Sequence, residues 1–175
     1  PGRRLEHQLD EPLEVWLGKY TFPLEAKYAD LDFERFYLSL APYEQAVVDA
    51  ALTTVLAVHG IAAFDGGWGK APKFPQPQVP GLLLLASKLT GDSAMQDQVL
   101  LTCRRMAAGG ICDHVGGGFA RYSVDAQWLV PHFEKMLYDN AQLLDLYLDA
   151  GLVSSDPAFM DTARSIARYV QRDMT

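Results

Sequence analysis

The stretch Pro131-His-Phe-Glu-Lys-Met-Leu-Tyr-Asp-Asn140 holds an imidazole, a carboxylate and a phenol within one short span. If it is helical, Glu134 and Tyr138 lie four apart and share a face, as do Lys135 and Asp139. His132 then sits in the first turn. Carboxylate and imidazole can accept and donate protons, and a helix N-terminus favours polar or anionic ligand atoms. A sugar-like substrate would use such groups. His132, Glu134 and Tyr138 are therefore the candidate catalytic residues, with Asp139 in the ligand-binding set. A plain ion-pair network of Glu134 and Lys135, with His132 capping a hairpin, accounts for the same residues without chemistry. His132-Phe-Glu134 has the His-x-Glu form of zinc deaminases, but the downstream Pro-Cys-x-x-Cys is missing. The histidines at 7, 59, 114 and 132 lack ligand spacing, so neither a metal nor a cofactor is expected.

Two glycine-rich stretches flank this one. In Asp113-His-Val-Gly-Gly-Gly-Phe-Ala-Arg121, three glycines permit a turn other residues cannot make and let a ligand approach the backbone. No Lys-Ser/Thr follows, so this is not a phosphate loop. Asp113, His114 and Arg121 are candidate ligand contacts, and Arg121 can grip a carboxylate or phosphate with both arms. Pairing of Arg121 with Asp113 or Asp125 is the competing reading. Tyr122 and Trp128 can stack a sugar or simply pack the hairpin. In Asp65-Gly-Gly-Trp-Gly-Lys-Ala-Pro-Lys-Phe-Pro75, prolines stiffen what the glycines bend. Asp65, Trp68 and Lys73 are the candidates there.

These loops need a scaffold, and the hydrophobic period supplies a helical one. Val47, Val48, Ala51, Leu52, Val55 and Leu56 predict a helix over 43–59 that ends at Gly60. Residues 61–78 are loop. A second helix carries Pro80 in its first turn and stops at Gly91. Asp92 or Ser93 caps a third, with Met95, Val99, Cys103 and Met106 on one stripe and Gly109-Gly110 at its end. Residues 111–131 are predicted as a loop with a small β-hairpin: a strand over 119–124, a turn at Asp125-Ala126 and a return strand over 127–130. Pro131 then opens a helix with the stripe Phe133, Met136, Leu137, Asn140, Leu144, Tyr147 and Leu148, ended by Gly151. Asp156 and Pro157 start the last helix, with Phe159, Ala163, Ile166, Ala167 and Val170 inward. Short links alternate with long loops, so both long loops fall at one end of stacked helical hairpins.

The chain of 175 residues has 49% hydrophobic and 21% charged residues, as a single globular domain does. Its 15 basic and 22 acidic side chains give −7, a surface that repels a phosphate backbone, so no nucleic acid is expected as partner. No apolar run is long enough for a bilayer, so no membrane partner is expected either. Cys103 and Cys112 fit neither a redox pair nor a metal knuckle and read as buried thiols in a reducing cytoplasm. Residues 1–43, rich in aromatics after Tyr20, read as a linker or docking arm. The chain starts at Pro1 and stops just after a helical pattern, so it is expected to be a piece of a longer protein.

Gly66-Gly-Trp-Gly-Lys-Ala-Pro-Lys-Phe-Pro75, Gly109-Gly-Ile-Cys-Asp-His-Val-Gly-Gly-Gly-Phe-Ala-Arg-Tyr-Ser-Val-Asp125 and Trp128-Leu-Val-Pro-His-Phe-Glu-Lys-Met-Leu-Tyr-Asp-Asn-Ala-Gln-Leu143 together resemble one family. It is the family of thioredoxin-like proteins that includes bacterial YyaL and the mammalian spermatogenesis-associated homologues. The resemblance spans about residues 44–175. It implies an all-α fold: a partial α/α toroid, similar to six-hairpin glycosidases and N-acylglucosamine 2-epimerases, following a thioredoxin-like half that would be its partner in the same protein. The Cys-His-Trp-Cys motif of that half is absent here, so disulfide exchange is not assigned to this chain. Cys112 stands where many members have tyrosine, and Ala120 where many have histidine.

Two functions are expected on these grounds: a carbohydrate-like ligand site with epimerase- or hydrolase-type acid–base chemistry, and a non-catalytic binding module attached to the thioredoxin-like half. An incomplete toroid also leaves apolar helix faces bare, so the isolated chain is expected to be marginally stable or to self-associate. Calorimetry together with sedimentation tests this, and a sharp thermal transition of a monomer would contradict it.

Overall fold

A computed structural model describes residues 41–43, 50 and 65–174, all within one compact unit, Leu31–Thr175. The expected arm 1–43 and the helix 43–59 lie almost wholly outside the described residues. What is described is mainly helical: α1 (Gln78–Thr90), α2 (Ser93–Ala108), β1 (Tyr122–Ser123), β2 (Pro131–His132), α3 (Leu137–Ser154) and α4 (Pro157–Asp173). β1 and β2 form one antiparallel pair, with Tyr122 opposite His132 and Ser123 opposite Pro131.

Local chemistry sets most helix ends. Gly91 takes a left-handed conformation (φ 72°) and its N–H donates to the Ser87 carbonyl, the usual glycine stop. The Asp92 carboxylate accepts from the Ala94 N–H at 2.9 Å and starts α2. Asp156 does the same for Ala158 at 3.1 Å, with Pro157 in the first turn of α4. The predicted stripe of α2, Met95, Val99, Cys103 and Met106, is buried, as are Phe159, Ala163, Ile166 and Ala167 of α4. In α1, Leu83 and Leu84 are core, but Leu82 turns outward.

α1 packs on α2 and α3 on α4, and the two pairs meet through α2 and α3. Tyr147 sits at that junction. Its hydroxyl donates to the Cys103 carbonyl at 2.8 Å, and its ring stacks on Phe119 at 5.4 Å and tilts against Phe159 at 6.2 Å.

The structure departs from the sequence reading at three places. The return strand is Pro131–His132, not 127–130, because residues 124–130 form a loop wrapped around Asp125. The Asp125 carboxylate accepts from the N–H groups of Gln127, Leu129 and Val130 and from the Ser123 hydroxyl. Such local bonds compete with a ladder. Second, Pro131 does not open a helix. Residues 131–136 are not helical: Pro131–His132 is strand, the chain bends at Phe133, Met136 is the extended N-cap, and α3 starts at Leu137. Phe133 and Leu137 are consequently exposed rather than inward. Third, Gly151 does not end α3, which continues to Ser154 and stops at left-handed Ser155. A Cβ at Gly151 would meet the Met160 sulfur at 2.7 Å, so this glycine allows α3 and α4 to approach closely.

The segment 131–136 is anchored by Asn140, which is fully buried. Its side-chain oxygen accepts from the Phe119 N–H at 2.8 Å. Its amide nitrogen donates to the carbonyls of Phe119 at 3.1 Å and Met136 at 3.0 Å. Asn140→Ala strands those backbone groups, so it is expected to cost about 2–4 kcal/mol. Urea unfolding of the variant checks this; a loss within experimental error of zero would contradict the anchoring role.

Candidate functional site

The two glycine-bearing connectors meet at one end of the helices. The backbone of Lys73 exchanges hydrogen bonds with Ser123 at 2.7 and 2.8 Å. Trp128, fully buried, donates its indole N–H to the Asp65 and Gly66 carbonyls, each at 3.2 Å. The Lys73 ammonium is buried, lies 4.6 Å from the Trp128 ring centre and donates to the Ala126 carbonyl at 2.9 Å. Burial lowers its pKa, against the pull of Asp65 and Asp125. Gly67 runs so close beneath that a Cβ would lie 2.5 Å from the indole. Trp68 is buried beside it. Of the predicted ligand residues, Asp65, Lys73 and Trp128 thus form the clamp between the connectors, and Trp68 is buried with its indole N–H unpartnered. With Trp128, Lys73 and Trp68 buried, their surface is spent on packing.

The non-helical course of 131–136 decides what the remaining candidates face. His132 meets Tyr122 and Glu134 meets Arg121 on one side, while Phe133 and Lys135 line a cavity on the other. The helical pairings expected for Glu134 with Tyr138 and for Lys135 with Asp139 do not exist, since 134 and 135 precede the helix. His132 is still brought to other candidates. Its ring stacks on Tyr122 at 4.5 Å, and Tyr122 packs on Phe74 at 4.7 Å. Arg121 pairs with Glu134 at 3.3 Å, both side chains about 40% exposed. Tyr138 and Asp139, in the first turn of α3, lie within electrostatic range of the Arg121 guanidinium. One Asp139 carboxylate oxygen is buried with no hydrogen-bond partner. Burial raises the Asp139 pKa; Arg121 opposes the rise and Glu134 adds to it. An aromatic stack thus borders a polar group of two carboxylates, a guanidinium, a phenol and an imidazole.

On the other side of the segment stands the Asp113 turn. Asp113 accepts from the Val115 and Gly116 N–H groups at 3.0 and 2.8 Å and from the Lys135 ammonium at 2.7 Å. Lys135 also donates to the Gly117 carbonyl at 2.8 Å and covers the Tyr169 ring at 4.2 Å. Arg121 pairs with neither Asp113 nor Asp125; it goes to Glu134, and Lys135 takes Asp113. His114 contacts the Gly109 carbonyl through Nε2 at 3.0 Å. Among the described residues no group of three His, Cys, Asp or Glu is placed to hold a metal ion. Both thiols are free, and burial pushes Cys103 up to about 12 and Cys112 up to about 11, which keeps them protonated and poorly nucleophilic.

Sequence reasoning missed Asn140 as a bridge, Lys135 as the partner of Asp113, and Asp125 as the loop's organiser. Only Asp125 carried a local signal, an acidic residue opening a turn.

The Lys135 hydrogen bond, with the two N–H groups, holds the Asp113 carboxyl down at about 2. The unfolded chain takes up this proton first as pH falls, so the contribution is present at neutral pH and lost between about pH 5 and 2. Asp113→Asn is expected to flatten that limb of the stability profile, measured by urea unfolding across the range. An unchanged slope would contradict the assignment.

No family model matches the chain. Spermatogenesis-associated protein 20 of Rattus norvegicus is 48% identical over 114 residues, covering 63% of this chain and 14% of that protein. The protein of the same name from Homo sapiens is 49% identical over the same length and shares. An uncharacterized protein of Caenorhabditis elegans is 45% identical over 98 residues, 52% of this chain and 13% of that one. The chain thus spans about one seventh of the length of the mammalian relatives. Over nearly two thirds of its own length, this chain is similar to a segment of spermatogenesis-associated protein 20.

Proposed function

We infer that the face formed by Phe74, Tyr122, His132, Arg121, Glu134, Tyr138 and Asp139 binds a carbohydrate-like ligand and supports acid–base chemistry on it. The observation that carries this reading is Asp139, whose one carboxylate oxygen is buried without a partner beside the ion-paired Glu134. Two carboxyl groups in unlike surroundings are the usual basis for dividing acid and base roles. Asp139, whose pKa burial raises, serves as the acid, and Glu134 serves as the acceptor. The Tyr122–His132 stack offers an aromatic plane to a sugar's apolar face, while Arg121 and Tyr138 bind its hydroxyls. The toroid architecture belongs to this reading too. It is supported by the alternation of short and long links between α1 and α4 and by the family motifs, and α1–α2 and α3–α4 are two of its hairpins. A cytoplasmic setting is consistent with the free thiols.

The exposure of His132 and Glu134 favours a second reading, a non-catalytic recognition surface attached to a thioredoxin-like domain. Open, ion-paired side chains bind more readily than they exchange protons.

The experiment is a binding and turnover screen of the full chain with glucose, mannose and N-acetylglucosamine, followed by NMR. Tyr122→Ala is expected to weaken binding by about tenfold. Asp139→Asn is expected to keep binding and lose conversion. Binding without conversion by the unaltered chain overturns the acid–base reading, and no binding to any sugar overturns the carbohydrate reading and favours the non-catalytic recognition surface.

A further inference from the structure

The far side of the 131–136 segment holds two neighbouring cavities that share one wall. One, of about 210 Å³, is lined by Asp113, His114, Asp161, Thr162 and Ser165, with Cys112 and Phe119 at its base. The other, of about 330 Å³, is lined by Ile111, Val115, Ala120, Pro131 and Phe133. Cys112, Asp113 and His114 line both. The Asp113-His114 turn therefore stands between an apolar compartment and a mixed one, in which Ala107, Phe119 and Ile166 line the wall beside the polar groups. None of the groups in the inferred sugar face lines either cavity, so the two sites are independent of each other.

The mixed compartment is rich in acceptors. Asp161 spends one oxygen on Arg164 at 2.9 Å. The Thr162 hydroxyl donates its proton to the Ala158 carbonyl at 2.9 Å, leaving its oxygen to accept. His114 turns Nε2 to the Gly109 carbonyl, so that nitrogen acts as the donor. Asp113 stays ionised to about pH 2. Among the described residues no lysine or arginine lines this compartment. In the apolar one Lys135 is the sole cation among them, and it is already bound to Asp113 and the Gly117 carbonyl. Two of the apolar side chains that border it are bare, Val115 at 98% exposed and Phe133 at 88%, while Ile111 and Ala120 are buried. Exposed apolar groups around a concave surface mark a binding site rather than a core.

We propose that this two-compartment site binds a small amphipathic amine, with the ammonium among Asp113, His114, Asp161 and Thr162 and the hydrocarbon or aryl body between Val115, Pro131 and Phe133. An ammonium offers only donors, and this wall offers acceptor oxygens beyond those its two carboxylates spend on their ion pairs with Lys135 and Arg164. A carboxylate head meets the same wall with repulsion.

Phenethylamine titrated into the full chain, read by NMR and calorimetry, tests this. Saturable binding with Kd of about 1 mM or tighter is expected for a ligand of this size. Phenylacetate, with an anionic head, and propylamine, with little apolar body, are each expected to bind at least about tenfold more weakly. Phe133→Ala and Val115→Ser truncate exposed side chains and leave the core intact; each is expected to weaken phenethylamine several-fold. Asp161→Asn is expected to weaken it while sparing apolar probes. Arg121→Ala, on the opposite face, is expected to weaken sugar binding and leave phenethylamine binding unaltered, so the sugar and amine readings fail separately. Absence of saturable binding, equal binding of phenylacetate, or indifference to both Phe133→Ala and Val115→Ser would overturn the proposal.

Discussion

The arrangement of this protein turns on how two glycine-rich connectors satisfy their buried backbone. A loop that leaves the surface must find partners for every N–H and carbonyl it hides. Here Trp128 supplies much of the answer. Its indole N–H reaches back to residues 65 and 66, its carbonyl receives the Ile111 N–H at 3.0 Å, and its ring lies under the Lys73 ammonium. Trp128 itself takes a left-handed conformation, φ 66°, which an aromatic residue adopts only when its surroundings compel it. Glycines at 67, 109 and 110 are then needed for space, since a Cβ at any of them would lie within 2.5 Å of Trp128 or Leu129.

With the connectors locked together, the segment 131–136 becomes a divider. It sends His132 and Glu134 to an aromatic and charged face, and Phe133 and Lys135 to the paired cavities. A helix there would have mixed these groups around a cylinder. The switch to helix only at Leu137 follows from Asn140, whose amide is engaged by Phe119 and Met136. One buried side chain thus fixes both where α3 begins and where the preceding loop lies.

The two faces differ in a way that matters for chemistry. On one, Asp139 is a carboxyl pressed towards its neutral form by burial. On the other, Asp113 is held ionised by an ammonium and two backbone N–H groups. Burial without partners and burial with donors push the same functional group in opposite directions. The apolar cavity beside Asp113 and the aromatic stack beside Asp139 give each carboxylate a different neighbour to present to a ligand.

The helices were legible in the sequence because their signals are local. Asp92, Gly91, Asp156 and Pro157 each act on the nearest turn, and the stripes of α2 and α4 repeat at helical spacing. The candidates His132, Glu134, Tyr138, Arg121, Asp113 and His114 were legible as residue types, but the structure gathers only the first four, with Tyr122 and Asp139, and leaves Asp113 and His114 on the other side of the segment. Their geometry was not legible. Whether Pro131 starts a helix or a strand depends on Tyr122 and Ser123, about ten positions away, and on Asn140 binding Phe119 across 21 positions. Trp128 and Lys73 looked like ligand contacts because nothing within a turn of them shows a partner. Their partners arrive from more than fifty residues away. Periodicity and capping report what a residue does to its own neighbours; only the folded chain decides which distant surface covers an aromatic ring or meets a charge.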